Sequence, residues 1–253
     1  MILRILLLNI LCSLSFFGVL YTNFLANYIP INGKTTGELS ALYPNYFVPA
    51  GITFSIWGII YLLVTSFLVR LWVLYHNTNS RRIEKFVFWF LVSCFANIGW
   101  IYAWHHQYVL LSVGLMLVLF VSLLRLFLIS RKDHWSIKVP FSVYFAWICV
   151  ALIANITAYL VDINWDGAFL SGPIWAIIMM SSACIIALFI YHQFQDVYFQ
   201  LVIIWAIFGI FLKQYTETAS ESQPIIYAAI LIIILLGGNM LRHLMMKPSL
   251  KKG

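Results

Sequence analysis

The stretch PAGITFSIWGIIY, residues 49–61, opens an apolar run that meets no charged residue until Arg70. A proline has no N–H to lose at the first turn of a helix, so Pro49 marks the expected start of a membrane-length helix rather than a break in one. Trp57 and Tyr61 are four residues apart, which puts two large aromatic groups on one face of that helix. Each has an apolar body and one polar tip. Two readings stay open: the pair lines a pocket for a flat, mostly apolar ligand, or it packs against neighbouring helices or in the interfacial aromatic belt.

Working outward, the same kind of run recurs at 3–25, 50–73, 86–104, 108–129, 139–161, 172–191, 197–213 and 224–242. With 63% hydrophobic and 9% charged residues in 253, and a mean hydropathy of +0.95, the chain is not an ordinary soluble domain. Nothing alternates apolar-out and polar-in over strand-length segments. The expected fold is therefore an all-α polytopic bundle of eight spans, not a barrel. Pro140, Pro173 and Pro224 stand at or near the starts of spans, and no proline is expected inside one. The first run, preceded by Arg4, is read as a mature helix, with a signal peptide as the alternative. The shortest, 197–213, is flanked by Asp196 and Lys213. Were it a re-entrant segment, the C-terminus would change sides.

The net charge of +7 does not point to nucleic acid, because the basic residues are dispersed among loops instead of forming one patch. Topology explains them better. With the N-terminus cytoplasmic, eight spans place thirteen of the fifteen Lys and Arg inside and leave only Lys34 and Lys213 outside. Both termini are then cytoplasmic, and the C-terminus carries a short basic tail. The longest polar segment, 26–48, lies outside, where Tyr28, Tyr43, Tyr46 and Phe47 suggest a packed cap.

Polar residues inside spans are few. Asn97 and Asn155 must find partners in an apolar setting, either by bridging helices or by contacting a ligand. His105 and His106 are adjacent, so regular helix geometry points them about 100° apart and keeps both off one metal. They read as interfacial turn residues, with an axial bond to haem iron as the alternative. DINWDG, residues 162–167, matches the head of a calcium loop, but Pro173 takes the place of the closing glutamate, and a helix-ending turn is the simpler reading. Cys12, Cys94, Cys149 and Cys184 fall in apolar runs with no paired spacing and read as buried apolar residues. Gly237 and Gly238 suggest close helix packing or a hinge. No Asp, Glu, Lys or Arg sits near the centre of a span, as ion-coupled transport would need, and no catalytic constellation is visible. The chain reads as a non-enzyme.

Three segments together resemble the TspO/translocator proteins, also called tryptophan-rich sensory proteins. Pro49 with Trp57, Gly58 and Tyr61 resembles that family's second-helix motif. Asn97 and Trp100 in FANIGW are similar to its third-helix pattern, and Tyr144, Ala146, Trp147, Ala151 and Asn155 in YFAWICVALIAN to its fifth. The pattern departs where Val48 and Pro49 replace paired prolines, where Gly51 replaces a tryptophan, and where no Lys or Arg follows Tyr159.

The resemblance implies a five-helix membrane domain over residues 1–162, with residues 163–253 adding three helices. It implies a pocket beneath the first loop for a porphyrin, a haem-like tetrapyrrole or a sterol-like molecule, bound as ligand and not required as cofactor. Trp57, Tyr61, Asn97, Trp100, Tyr144, Trp147 and Ala151 are the candidate ligand-binding residues, and no metal site is expected. The resemblance also suggests a homodimer, with the alternative that the three added helices cover that surface, and the expected location is the plasma (inner) membrane. The rival readings are a multi-pass channel or permease for a small solute, and C-terminal helices that dock a membrane partner.

Overall fold

The computed structural model describes residues 2–73, 80–217 and 220–246. The basic tail expected at Lys247, Lys251 and Lys252 lies outside the described residues. Nine α-helices and no strand occur among the described residues: α1 (Ile2–Tyr28), α2 (Thr36–Ala41), α3 (Ile56–Val73), α4 (Ser80–His105), α5 (Val109–Ser130), α6 (Trp135–Asp162), α7 (Gly172–Phe194), α8 (Val197–Glu217) and α9 (Gln223–Met246). All but α2 are long and apolar enough to cross a membrane, which gives the eight spans expected.

The chain divides into two units. The first comprises Met1–Asn45 and Phe54–Asp166, the second Tyr46–Thr53 and Gly167–Gly253. In the first unit, five long helices close a circuit in which α4 packs on α1 and α5, α5 on α6, α6 on α3, and α3 on α1. Every residue from Val139 to Val150 of α6 is buried, as expected of a helix that is apolar on all faces. Below its middle, Phe141 meets Phe67 and Phe86 edge-on at 5.0 and 5.1 Å between ring centroids, a favourable aromatic geometry. In the second unit, α7, α8 and α9 pack on one another.

Two expectations about helix boundaries are corrected. The membrane helix does not begin at Pro49: a 3-10 turn spans Gly51–Ser55, and α3 follows at Ile56. At that point the Ala50 N–H donates to the Gly209 carbonyl at 2.9 Å. Pro140 lies inside α6, whose start is set five residues earlier, where the His134 side chain accepts from Ser136 N. Proline at that position cannot donate to the Ser136 carbonyl, and burial on all sides sustains the helix across the missing bond. At Gly237 and Gly238 α9 runs on without a break, and an added methyl would meet nothing within 4 Å among the described residues, so no close helix packing is seen there. The doubtful span at 197–213 is a continuous helix of 21 residues.

The long first loop is ordered in two parts. Up to Asn45 it belongs with the first unit. There α2 opens with a reciprocal cap, in which Thr35 Oγ1 accepts from Glu38 N at 3.2 Å and Thr35 N donates to Glu38 Oε2 at 2.7 Å. The hydrogen bond from the Thr35 backbone holds the Glu38 carboxyl below its usual range. His105 is not an interfacial turn residue: it is fully buried and fastens this loop. Its Nδ1 donates to the Ile31 carbonyl at 3.0 Å, its Nε2 lies 3.2 Å from Thr36 Oγ1, and its own carbonyl accepts from Asn32 Nδ2 at 3.1 Å. His106 is exposed. Tyr43 is buried against Trp104, 5.6 Å between centroids, while Tyr28 faces outward.

His105→Ala should leave the Ile31 carbonyl and the Thr36 hydroxyl without their partner, at a cost of about 1–3 kcal/mol. Limited proteolysis in detergent should then cut within residues 29–45 while α4 and α5 stay intact.

Candidate ligand-binding site

The aromatic residues singled out in the sequence come from three different helices and meet at one point. Trp57 on α3 stacks on Tyr61 one turn along, with centroids 5.7 Å apart, and on Trp100 of α4 at 6.5 Å. From α6, Tyr144 and Trp147 approach Trp57 edge-on at 5.9 and 6.3 Å. Phe54 adds a further edge contact to Trp147 at 6.1 Å. Offset-stacked and edge-to-face contacts in this range are each favourable by about 0.5–1.5 kcal/mol. Trp57 thus sits at the hub, in contact with every other ring of the candidate set.

Two hydrogen-bond chains hold this cluster from behind. In the first, Asn23 Nδ2 on α1 donates to Asn97 Oδ1 at 2.9 Å, and Asn97 Nδ2 donates to the Tyr144 hydroxyl at 3.1 Å. In the second, Trp100 Nε1 donates to Asn155 Oδ1 at 2.9 Å, and Asn155 Nδ2 donates to Ser112 Oγ on α5 at 2.8 Å. All these polar groups are buried. Asn97 therefore reaches the rings through Tyr144, and Asn155 through Trp100. Ala151 lies one turn along α6 from Trp147 and is half-buried.

Beside the rings a hollow of about 10 Å³, bordered by Tyr61, Tyr144, Phe16, Phe90 and Cys94, has room for a single water molecule. One donor stands out. Trp147 Nε1 is buried and has no hydrogen-bond acceptor among the described residues. A buried indole N–H without an acceptor can donate a hydrogen bond to a carbonyl or carboxylate oxygen that comes within reach.

Sequence reasoning overlooked Asn23, Ser112, Phe54 and the fastening role of His105. Asn23 could have been found by the same argument that selects Asn97, since it is an amide inside an apolar run. Ser112 could not, because serines in membrane helices commonly bond to their own backbone, as Ser112 Oγ does to the Val109 carbonyl.

The helix count and the enclosed aromatic centre define a multi-pass helical membrane protein. A family model described as TSPO-like protein matches residues 9–242, and the chain belongs to that family. The match continues past residue 162, where the motif resemblance ends, and takes in all three C-terminal helices. No curated protein and no solved structure matches the chain.

Replacing Asn97 by Leu should leave the Tyr144 hydroxyl without its partner and the Asn23 amide with only its bond to the Val19 carbonyl, lowering stability by about 1–3 kcal/mol. Thermal melts in detergent should show that the Asn23→Leu, Asn97→Leu double variant loses less than the sum of the two single changes, because the two amides satisfy each other.

Proposed function

We propose that this protein binds a planar hydrophobic ligand, a porphyrin or other tetrapyrrole, among Trp57, Tyr61, Trp100, Tyr144 and Trp147, as a membrane sensor or carrier and without catalysing a reaction. The observation that carries this reading is the convergence of these rings on Trp57, with the buried N–H of Trp147 lacking an acceptor among the described residues. The ligand enters by parting Trp57 from its stacked and edge-on neighbours, exchanging ring-to-ring contacts for ring-to-ligand contacts of the same kind. Trp147 Nε1 then donates to an oxygen of the ligand, while Asn97 keeps Tyr144 in place and Ala151 leaves room beside Trp147. Burial of apolar area contributes about 25 cal/mol per Å², so a large ring system needs few polar contacts. The part of the first loop fastened by His105 covers the site, and a homodimer in the plasma membrane is the expected assembly.

Protoporphyrin added to the purified protein should quench tryptophan fluorescence saturably. Trp147→Phe should weaken binding roughly 2- to 10-fold, the equivalent of one hydrogen bond of about 0.5–1.5 kcal/mol. Trp57→Ala together with Trp147→Ala should abolish saturable quenching, and equal quenching by wild type and double variant would count against this site.

The orientation belongs to the same proposal, with both termini cytoplasmic, as the distribution of Lys and Arg requires. A reporter fused after Gly253 should be active on the cytoplasmic face, and activity on the outer face alone would reverse the topology.

A further inference from the structure

Residues 46–53 join the first loop to the helix that carries Trp57, yet they belong with the three C-terminal helices. They are held there at successive points. Gln214 Nε2 donates to the Tyr46 carbonyl at 3.1 Å, and the other end of that buried amide accepts from Ser222 Oγ at 2.8 Å. The Tyr46 hydroxyl donates to Glu221 Oε2 at 2.5 Å, and this bond raises the Tyr46 hydroxyl above its usual range. Further along, Ala50 N donates to the Gly209 carbonyl, and Trp205 Nε1 donates to the Thr53 carbonyl, both at 2.9 Å.

Two glycines permit the close approach. A methyl group at Gly172 would lie 2.8 Å from the Tyr46 ring. One at Gly209 would overlap the Oγ1, Cγ2 and Cβ atoms of Thr53, an overlap that no change of rotamer relieves in full. Trp205 and Gly209 are four residues apart and share a face of α8. That face, with Gln214, gives the segment one donor for each of two carbonyls and one acceptor for an N–H. The surface is matched to the main chain of residues 46–53, which occupies it.

We infer that α7, α8 and α9 form an internal clasp that fixes the segment leading into α3 and thereby sets the position of Trp57. The clasp itself rests on hydrogen bonds and close packing within the C-terminal unit. Its effect on ligand affinity rests in addition on the reading of the preceding subsection. Gly209 and Gln214 act as positioning residues, through the main chain of 46–53.

A size swap in the full-length protein tests this. Gly209→Ala crowds Thr53, and Thr53→Gly removes all three atoms with which the new methyl would collide. Hydrogen exchange followed by mass spectrometry in detergent should show exchange over residues 46–61 rising about tenfold in Gly209→Ala, with α7 to α9 as protected as in wild type. The Gly209→Ala, Thr53→Gly chain should return to wild-type exchange. Gln214→Met, which creates no overlap, should raise exchange at Tyr46 and Phe47 without the crowding. Protoporphyrin affinity should fall in Gly209→Ala and recover in the swapped pair.

Unchanged exchange over 46–61 in both Gly209→Ala and Gln214→Met overturns the clasp. So does faster exchange with undiminished porphyrin affinity. A wild-type protein that does not bind protoporphyrin sinks the earlier reading instead, and the exchange comparison alone then decides whether the clasp exists.

Discussion

An amide inside a hydrocarbon layer has no water to turn to, so its partners must come from other helices. That constraint organises the first unit. Asn97 on α4 and Asn155 on α6 each stand in the middle of a hydrogen-bond chain, one running from α1 to Tyr144 and the other from Trp100 to α5. Pairing of this kind contributes about 0.6–2 kcal/mol per bond in membranes. Its larger effect here is on register: α1, α4, α5 and α6 cannot slide along one another without leaving a buried polar group unpaired. The aromatic cluster is built on helices whose heights are fixed in this way.

The two kinds of contact divide the work. Amides hold from behind, and rings meet in front. Tyr144 and Trp100 belong to both sets, offering a polar atom to an asparagine and a ring to Trp57. Trp147 belongs only to the second, and its N–H has no acceptor among the described residues. Because Trp57 touches every other ring of the set, its position matters more than that of any neighbour. The main chain that leads to Trp57 is tied down twice, by Trp205 at Thr53 and by Gly209 at Ala50.

Much of this was legible in the sequence. Uninterrupted apolar runs give the eight spans, because a bilayer sets their length and forbids charge within them. Two of the asparagines and all of the central rings were visible as polar or aromatic residues at helical spacing, and the family resemblance follows from the same positions. What could not be read was anything carried by the main chain. Pro49 looks like a helix start because its own conformation suits one, but the N–H of the next residue turns to a carbonyl 159 positions away. His105 looks like a turn residue because its loop partners at 31 and 36 carry no recognisable motif. Pro140 looks like a boundary because burial on every side, which lets a helix run through a proline, is a tertiary property. Two of the positions at which the family pattern departs, Val48 and Gly51, lie in the segment held by the C-terminal helices.

The division of the first loop bears on modularity. A chain ended after Asp166 would keep its five-helix circuit on paper, but it would leave the Tyr46 and Thr53 carbonyls and the Ala50 amide without the bonds they make to Gln214, Trp205 and Gly209. Three helices that look like an appendix by their place in the chain thus hold main chain from its first third.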